Sequence, residues 1–174
     1  MKLSISIGIL AASYCVANAG ATVNNAACAM PRVQLAAAND PAGKAQSSIV
    51  SDKFLDAVAH IESSGRSDVI GDGGKARGMF QLHRAAWSDA QKRNPLVVDY
   101  VSGSTNPSAS RLAAKTYLNI LAERFTLNNK RPPTPGELYA CYNMGFAGFS
   151  KIGFELNRAP KTTRNAAQKL KGLL

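Results

Sequence analysis

Ile49-Val50-Ser51-Asp52-Lys53-Phe54-Leu55-Asp56-Ala57-Val58-Ala59-His60-Ile61-Glu62-Ser63-Ser64-Gly65 is the stretch on which the fold turns. Ile49, Val50, Phe54, Leu55, Val58 and Ile61 recur at three- and four-residue spacings, which is one face of a helix, and Gly65 is its stop. Glu62 continues this apolar stripe, with Leu55, Val58 and Ile61 seven, four and one positions before it, so its carboxylate is expected on the core side. In the last turn the helix dipole disfavours negative charge, and partial burial adds desolvation; both raise a carboxyl pKa. A carboxyl group that keeps its proton near neutral pH can serve as a general acid. The opposing reading is a surface glutamate at a frayed helix end.

Downstream, residues 65 to 77 hold four glycines and five charges, which predicts a loop or a small irregular β excursion. A second helix fits His83 to Lys92, with Ala86, Trp87 and Ala90 inward, and Asn94-Pro95 closes it. After a loop through Gly103, Asn106-Pro107 opens a longer helix whose stripe is Leu112, Ala113, Tyr117, Ile120, Leu121 and Phe125. Thr134-Pro135-Gly136-Glu137 is a capping box with proline in the first helical position, so a helix is expected from Pro135 to near Gly145. Residues 145 to 158 read as a loop rich in glycine and phenylalanine, and Pro160 to Leu174 as a basic helical tail carrying Leu170, Leu173 and Leu174. No strand-like alternation is long enough to build a sheet, so the class is mainly α.

Upstream, residues 1 to 19 combine Met1-Lys2, an apolar run from Leu3 to Val16 and Ala17-Asn18-Ala19, the pattern of a secretory signal with a small-x-small cleavage site. The run is shorter than the roughly 20 apolar residues of a spanning helix. Tyr14 before Cys15 argues against lipid attachment there. Residues 20 to 48, rich in Ala, Asn, Gln and Ser, read as a flexible tether. That leaves about 125 of the 174 residues, enough for one domain, 49 to 174, with one core. Beyond the signal, Cys28 and Cys141 have two readings: a bridge in an oxidising compartment, or Cys141 as a small hydrophobe of a helical apolar pattern.

Three short segments carry a family resemblance. Glu62-Ser63-Ser64-Gly65, Gly78-Met79-Phe80-Gln81 and Ala140-Cys141-Tyr142-Asn143-Met144-Gly145 resemble the three ordered motifs of the soluble lytic transglycosylase and goose-type lysozyme group, over about Ser48 to Gly148. The resemblance implies a lysozyme-like fold with a small loop or β excursion after the catalytic helix, and cleavage of the MurNAc-GlcNAc bond of peptidoglycan. Residue by residue it makes Glu62 the general acid, with Ser63 steadying its geometry. It has Gln81 meeting an N-acetyl or hydroxyl group of the substrate, Tyr142 hydrogen-bonding near Glu62, and Asn143 holding the sugar beside the scissile bond. Two residues depart: Phe80 replaces the usual methionine and Cys141 the usual alanine. Phe80 and the stretch His83 to Asp89 are similar instead to invertebrate-type lysozymes.

Asp72 has two readings as well. Most glycosidases place two carboxyl groups about the bond. Ten residues after Glu62 and nine before Gln81, in a glycine-rich segment, Asp72 resembles the second acid of invertebrate-type lysozymes. Asp72-Gly73-Gly74 is equally a satisfactory turn. Without a second acid the substrate N-acetyl group assists, Glu62 turns from acid to base, and the sugar's C6 hydroxyl attacks to give a 1,6-anhydro end.

Lys and Arg number 21 against 11 Asp and Glu, a formal +10 that falls to +9 when Lys2 leaves with the signal. The partner is expected to be polyanionic, and export directs that charge to an anionic wall surface rather than nucleic acid. No cofactor is expected: His60 and His83 lack partners at metal-ligand spacing, and Gly71 to Gly78 lacks the Gly-Lys-Ser/Thr ending of a phosphate loop. An exported monomer without a membrane anchor, acting as a lytic transglycosylase, is the leading expectation. A hydrolysing lysozyme using Asp72 is the second, and a non-catalytic wall-binding protein the third. A membrane-active protein using the basic tail ranks last, because that tail lacks tryptophan and phenylalanine.

Overall fold

The computed structural model describes residues 49–96 and 98–174. The expected signal at 1–19, the expected tether at 20–48, Cys15 and Cys28 lie outside the described residues. The elements are α1 (Asp52–Ser63), β1 (Ile70–Gly71), a 3₁₀ turn (Asp72–Gly74), β2 (Ala76–Arg77), β3 (Leu82–His83), α2 (Arg84–Arg93), α3 (Tyr100–Thr105), α4 (Pro107–Asn129), α5 (Pro135–Met144), α6 (Phe146–Lys151), a second 3₁₀ turn (Leu156–Arg158) and α7 (Lys161–Leu173). The class is mainly α, with one small sheet after the first helix.

α1 starts where Ser51 Oγ accepts from the Phe54 N–H at 3.2 Å, with Asp52 favourably placed in the first turn. It ends through left-handed Ser64, one residue ahead of the expected glycine; the Ser64 and Gly65 N–H groups return to His60 and Ala59 carbonyls. Its buried face is Phe54, Leu55, Ala57, Val58 and Ala59.

α4 is the long central element. It buries Ser110, Ala113, Ala114, Leu118, Leu121 and Phe125, while Leu112, expected in that stripe, is 44% exposed and Ile120 only half-buried. α2, α3 and α5 pack on it. α5 carries the capping box of Thr134 and Glu137, reinforced by Arg131, whose guanidinium reaches both Glu137 oxygens at 2.6 and 2.9 Å. Leu138, Tyr139, Ala140 and Cys141 are buried in succession, as a helix covered on several sides by α4, α6 and α7 requires. Cys141 is buried and has no disulfide partner among the described residues, and burial pushes its thiol up to about 12.

The segment after α1 is a three-stranded antiparallel sheet in the order β1-β2-β3, pairing Ile70 with Arg77 and Arg77 with Leu82. Two helices correct the loop expectations. α3 forms just before Asn106, capped by Asp99, and its Tyr100 hydroxyl lies within 2.8 Å of the Leu82 carbonyl and 2.6 Å of the Lys75 carbonyl, which fastens the sheet to the helices. α6 occupies the stretch after Gly145 and buries Phe149. Both are six residues long, too short for an apolar period to declare itself. The basic tail is α7, packed on α5 and α1 with Thr163, Ala167 and Leu170 buried and Leu173 and Leu174 exposed. No helix among the described residues is long and apolar enough to cross a membrane.

Candidate functional site

Glu62 sits in the last turn of α1, half-buried, with its Oε1 accepting from the Tyr139 hydroxyl at 3.0 Å. Burial raises its pKa above the ordinary 4.5, and the Tyr139 bond opposes that rise. The phenol is held far above its usual range by burial and by the charge of Glu62, so it remains a donor. Glu62 is therefore a half-buried carboxyl with a neutral donor beside it, able to hold a proton and to give it up.

The phenol on Glu62 is thus Tyr139, one helical turn before the Tyr142 that was expected near it. The Tyr142 ring is half-buried and its hydroxyl end enclosed; it donates to the Phe80 carbonyl at 2.5 Å. Its pKa is raised first by burial and then by Glu62, which puts the group near the acid without a bond to it.

Ser63 steadies the backbone rather than the carboxylate. Its buried hydroxyl lies 2.8 Å from the Met79 carbonyl and 3.2 Å from the Ala59 carbonyl, so it ties the end of α1 to the segment Gly78 to Gln81. Gln81 adopts a positive φ of 46°, and its Nε2 donates to the carbonyls of Gly78 at 2.8 Å and Val69 at 3.2 Å. Its amide donors are spent inside the hairpin, while Oε1 packs against Gly71. Gln81 shapes the sheet segment behind Ser63 instead of presenting a donor outward.

Asp72 opens the 3₁₀ turn with a φ of 48°, and its carboxylate is 3.5 Å from His83 Nε2 and 61% exposed. Burial and Tyr139 account for the shift of Glu62, and Asp72 is not among its causes. Asp72, Gly73 and Gly74 form the 3₁₀ turn between β1 and β2.

Asn143, exposed at the end of α5, has its Oδ1 accepting from Thr163 Oγ1 of α7 at 2.7 Å. The bond commits the amide oxygen and turns the N–H pair away from Thr163. Trp87 is buried core, as expected, and Tyr117 packs on Tyr142 with ring centroids 6.0 Å apart.

Sequence reasoning missed two members of this site. Tyr139 lies three residues before Tyr142, so both project from one side of α5, but only Tyr142 stands in the Ala140-to-Gly145 motif. Thr163 was hidden in a segment read by its charge, although Thr163, Ala167 and Leu170 at four- and three-residue spacing mark a buried stripe.

Residues 41–165 match the family model described as Transglycosylase SLT domain. No curated protein matches the chain.

Proposed function

Since the chain belongs to the transglycosylase SLT domain family, whose members are lytic transglycosylases that cleave glycosidic bonds in peptidoglycan, we propose that it cuts the MurNAc-GlcNAc bond with Glu62 as the general acid and base. The observation that carries the proposal is the half-buried Glu62 carboxyl, its pKa raised by burial and its oxygen bonded to Tyr139. In the first step Glu62 gives its proton to the glycosidic oxygen, the C1–O bond breaks, and the substrate's N-acetyl oxygen stabilises the cationic C1. In the second, the ionised Glu62 takes the proton of the C6 hydroxyl as that oxygen bonds to C1. The product is a 1,6-anhydro end, and Glu62 is protonated again.

Around this centre Ser63 holds the end of α1 on the hairpin and Gln81 braces that hairpin from behind. Asn143 offers its amide N–H groups to the sugar beside the bond. The hydrolytic alternative needs Asp72 to activate water. The exposed pairing of Asp72 with His83 favours transglycosylation over it.

Product masses test both readings, because an anhydro product is lighter than a hydrolysis product by one water. Anhydro ends from purified wall, substantial activity in Asp72→Asn and a loss of at least about 10²-fold in Glu62→Gln are the expected results. Hydrated products alone with an inactive Asp72→Asn protein would establish the lysozyme reading. A folded wild-type protein that binds wall without cutting it would establish the binding-only reading.

Residues 1–19 are proposed to direct export and to leave mature protein beginning at Gly20, with the basic surface drawn to an anionic wall and the chain acting as a monomer. N-terminal sequencing of secreted material checks the cleavage, and a lipid-modified Cys15 would refute it.

A further inference from the structure

The end of α1, α5 and α7 border an open cavity of about 740 Å³. His60 lines it from α1, Tyr139 and Asn143 from α5, and Thr162, Asn165 and Lys169 from α7. The last three, at three- and four-residue spacings, form a stripe alongside the buried Thr163, Ala167 and Leu170, so the packing that seats α7 also aims this stripe at the cavity. Tyr139 belongs to both places: its hydroxyl is on Glu62, and its side chain borders the cavity. The volume suits a ligand of several linked groups rather than a single ion.

The chemistry of the lining points to an anion. It contains amides, hydroxyls, an imidazole and one ammonium group, and no Asp or Glu. Lys169 is the one Lys or Arg of this lining, and no carboxylate among the described residues forms an ion pair with it. Thr162 and Asn165 fall within the family match, whereas Lys169 lies beyond residue 165, where that match ends.

We propose that this cavity is a subsite for a carboxylate of the peptide carried on the wall glycan, with Lys169 as its cationic partner and Asn165 and Thr162 as neutral hydrogen-bonding neighbours. The proposal rests on the reading of Glu62 as the glycan-cutting acid and adds recognition of the peptide beside it. A peptide attached to the sugar at the cut bond leaves the strand next to Asn143 and enters the cavity past Tyr139. Lys169 is exposed, so the contribution of the pair is modest and salt-sensitive.

Peptide-bearing glycan strands and the same strands stripped of peptide by an amidase provide the test. The ratio of kcat/KM for bearing over stripped strands is expected to fall about three- to tenfold in Lys169→Gln, through KM, and to recover in Lys169→Arg. Lys171→Gln, on the same helix outside the cavity lining, is the comparison. A ratio in Lys169→Gln no different from that in Lys171→Gln overturns the proposal. Titration of the wild-type chain with the free acidic stem peptide, followed by NMR, separates this idea from the enzymatic one. If the wild-type protein cuts neither strand, the Glu62 reading has failed and the titration decides the subsite. Saturable binding weakened by Lys169→Gln upholds it, and no binding overturns it.

Discussion

Thr163 Oγ1 lies 2.7 Å from Asn143 Oδ1, and Thr163 is 2% exposed, so a buried hydroxyl on the C-terminal helix sets the orientation of an exposed amide on α5. Two helices distant in sequence thereby share one polar contact at the mouth of the site, and the amide's donors are left for a ligand.

Thr163→Val preserves the shape of the side chain and removes the donor. Wall-cutting activity is expected to fall about fivefold, the worth of one ordinary hydrogen bond, and to return in Thr163→Ser. Full activity in a folded Thr163→Val protein would show that the orientation of Asn143 does not depend on this contact.

Tyr139→Phe removes the bond that draws the Glu62 pKa down and leaves the burial that pushes it up. The acid then keeps its proton to higher pH. The alkaline limb of the kcat/KM profile is expected to move upward in pH, and a limb that stays put or moves down would exclude Tyr139 as the group tuning the acid.

Glu62→Gln should change stability with a sign opposite to its effect on activity. A carboxyl whose folded pKa is raised stabilises the fold below the unfolded value, near 4.5, and that contribution is lost as pH rises through the folded value. Above that window the wild-type protein carries an ionised, half-enclosed carboxylate, whereas glutamine carries no charge and still accepts from Tyr139. Melting curves are expected to show a higher Tm for Glu62→Gln at neutral pH, with the gap closing below about pH 4.5. An equal or lower Tm at neutral pH would contradict the burial of this group.

Gly78 has a φ of 73°, and a Cβ built on it would lie 1.7 Å from the Ser104 carbonyl oxygen. Gly78→Ala is expected to cost about 1–2 kcal/mol for the left-handed backbone and about 1–3 kcal/mol more for the clash, lowering Tm by roughly 10 °C or more. Gly65 has a similar φ of 77° with nothing within 4 Å of such a Cβ. Gly65→Ala should cost only the backbone part, about 1 kcal/mol. Equal losses at the two sites would remove the close approach between hairpin and α3 as the cause.

α1, α5 and the core residue Trp87 were legible because each rests on a local signal: an apolar period with a glycine at its end for α1, a capping box with proline for α5, and helical spacing for Trp87. The partial burial of Glu62 was legible because a charged residue continued an apolar stripe. α3 and α6 were not, since six residues hold fewer than two turns and their stability comes from what they pack on. Tyr142 was expected near Glu62, but the phenol bonded to Glu62 is Tyr139, because a motif names residue types while helix rotation decides which phenol arrives. For Gln81 the types suggested a sugar contact, but backbone carbonyls of its own hairpin take its donors. Thr163 was masked by the lysines and arginines around it, which describe the outer face of α7 and not the buried one.

The packing of α7 on α1 and α5 also puts the parts of the site in an order of time. Synthesis runs from the amino end, so Glu62, Tyr139 and Asn143 leave the ribosome before the turns of α7 that bury Ala167 and Leu170. A nascent chain ending near residue 160 already holds the acid and its phenol, but lacks the hydroxyl that orients Asn143 and the helix that walls the cavity. The geometry of the site is therefore completed late, by a segment that a charge-based reading would have treated as an appendage.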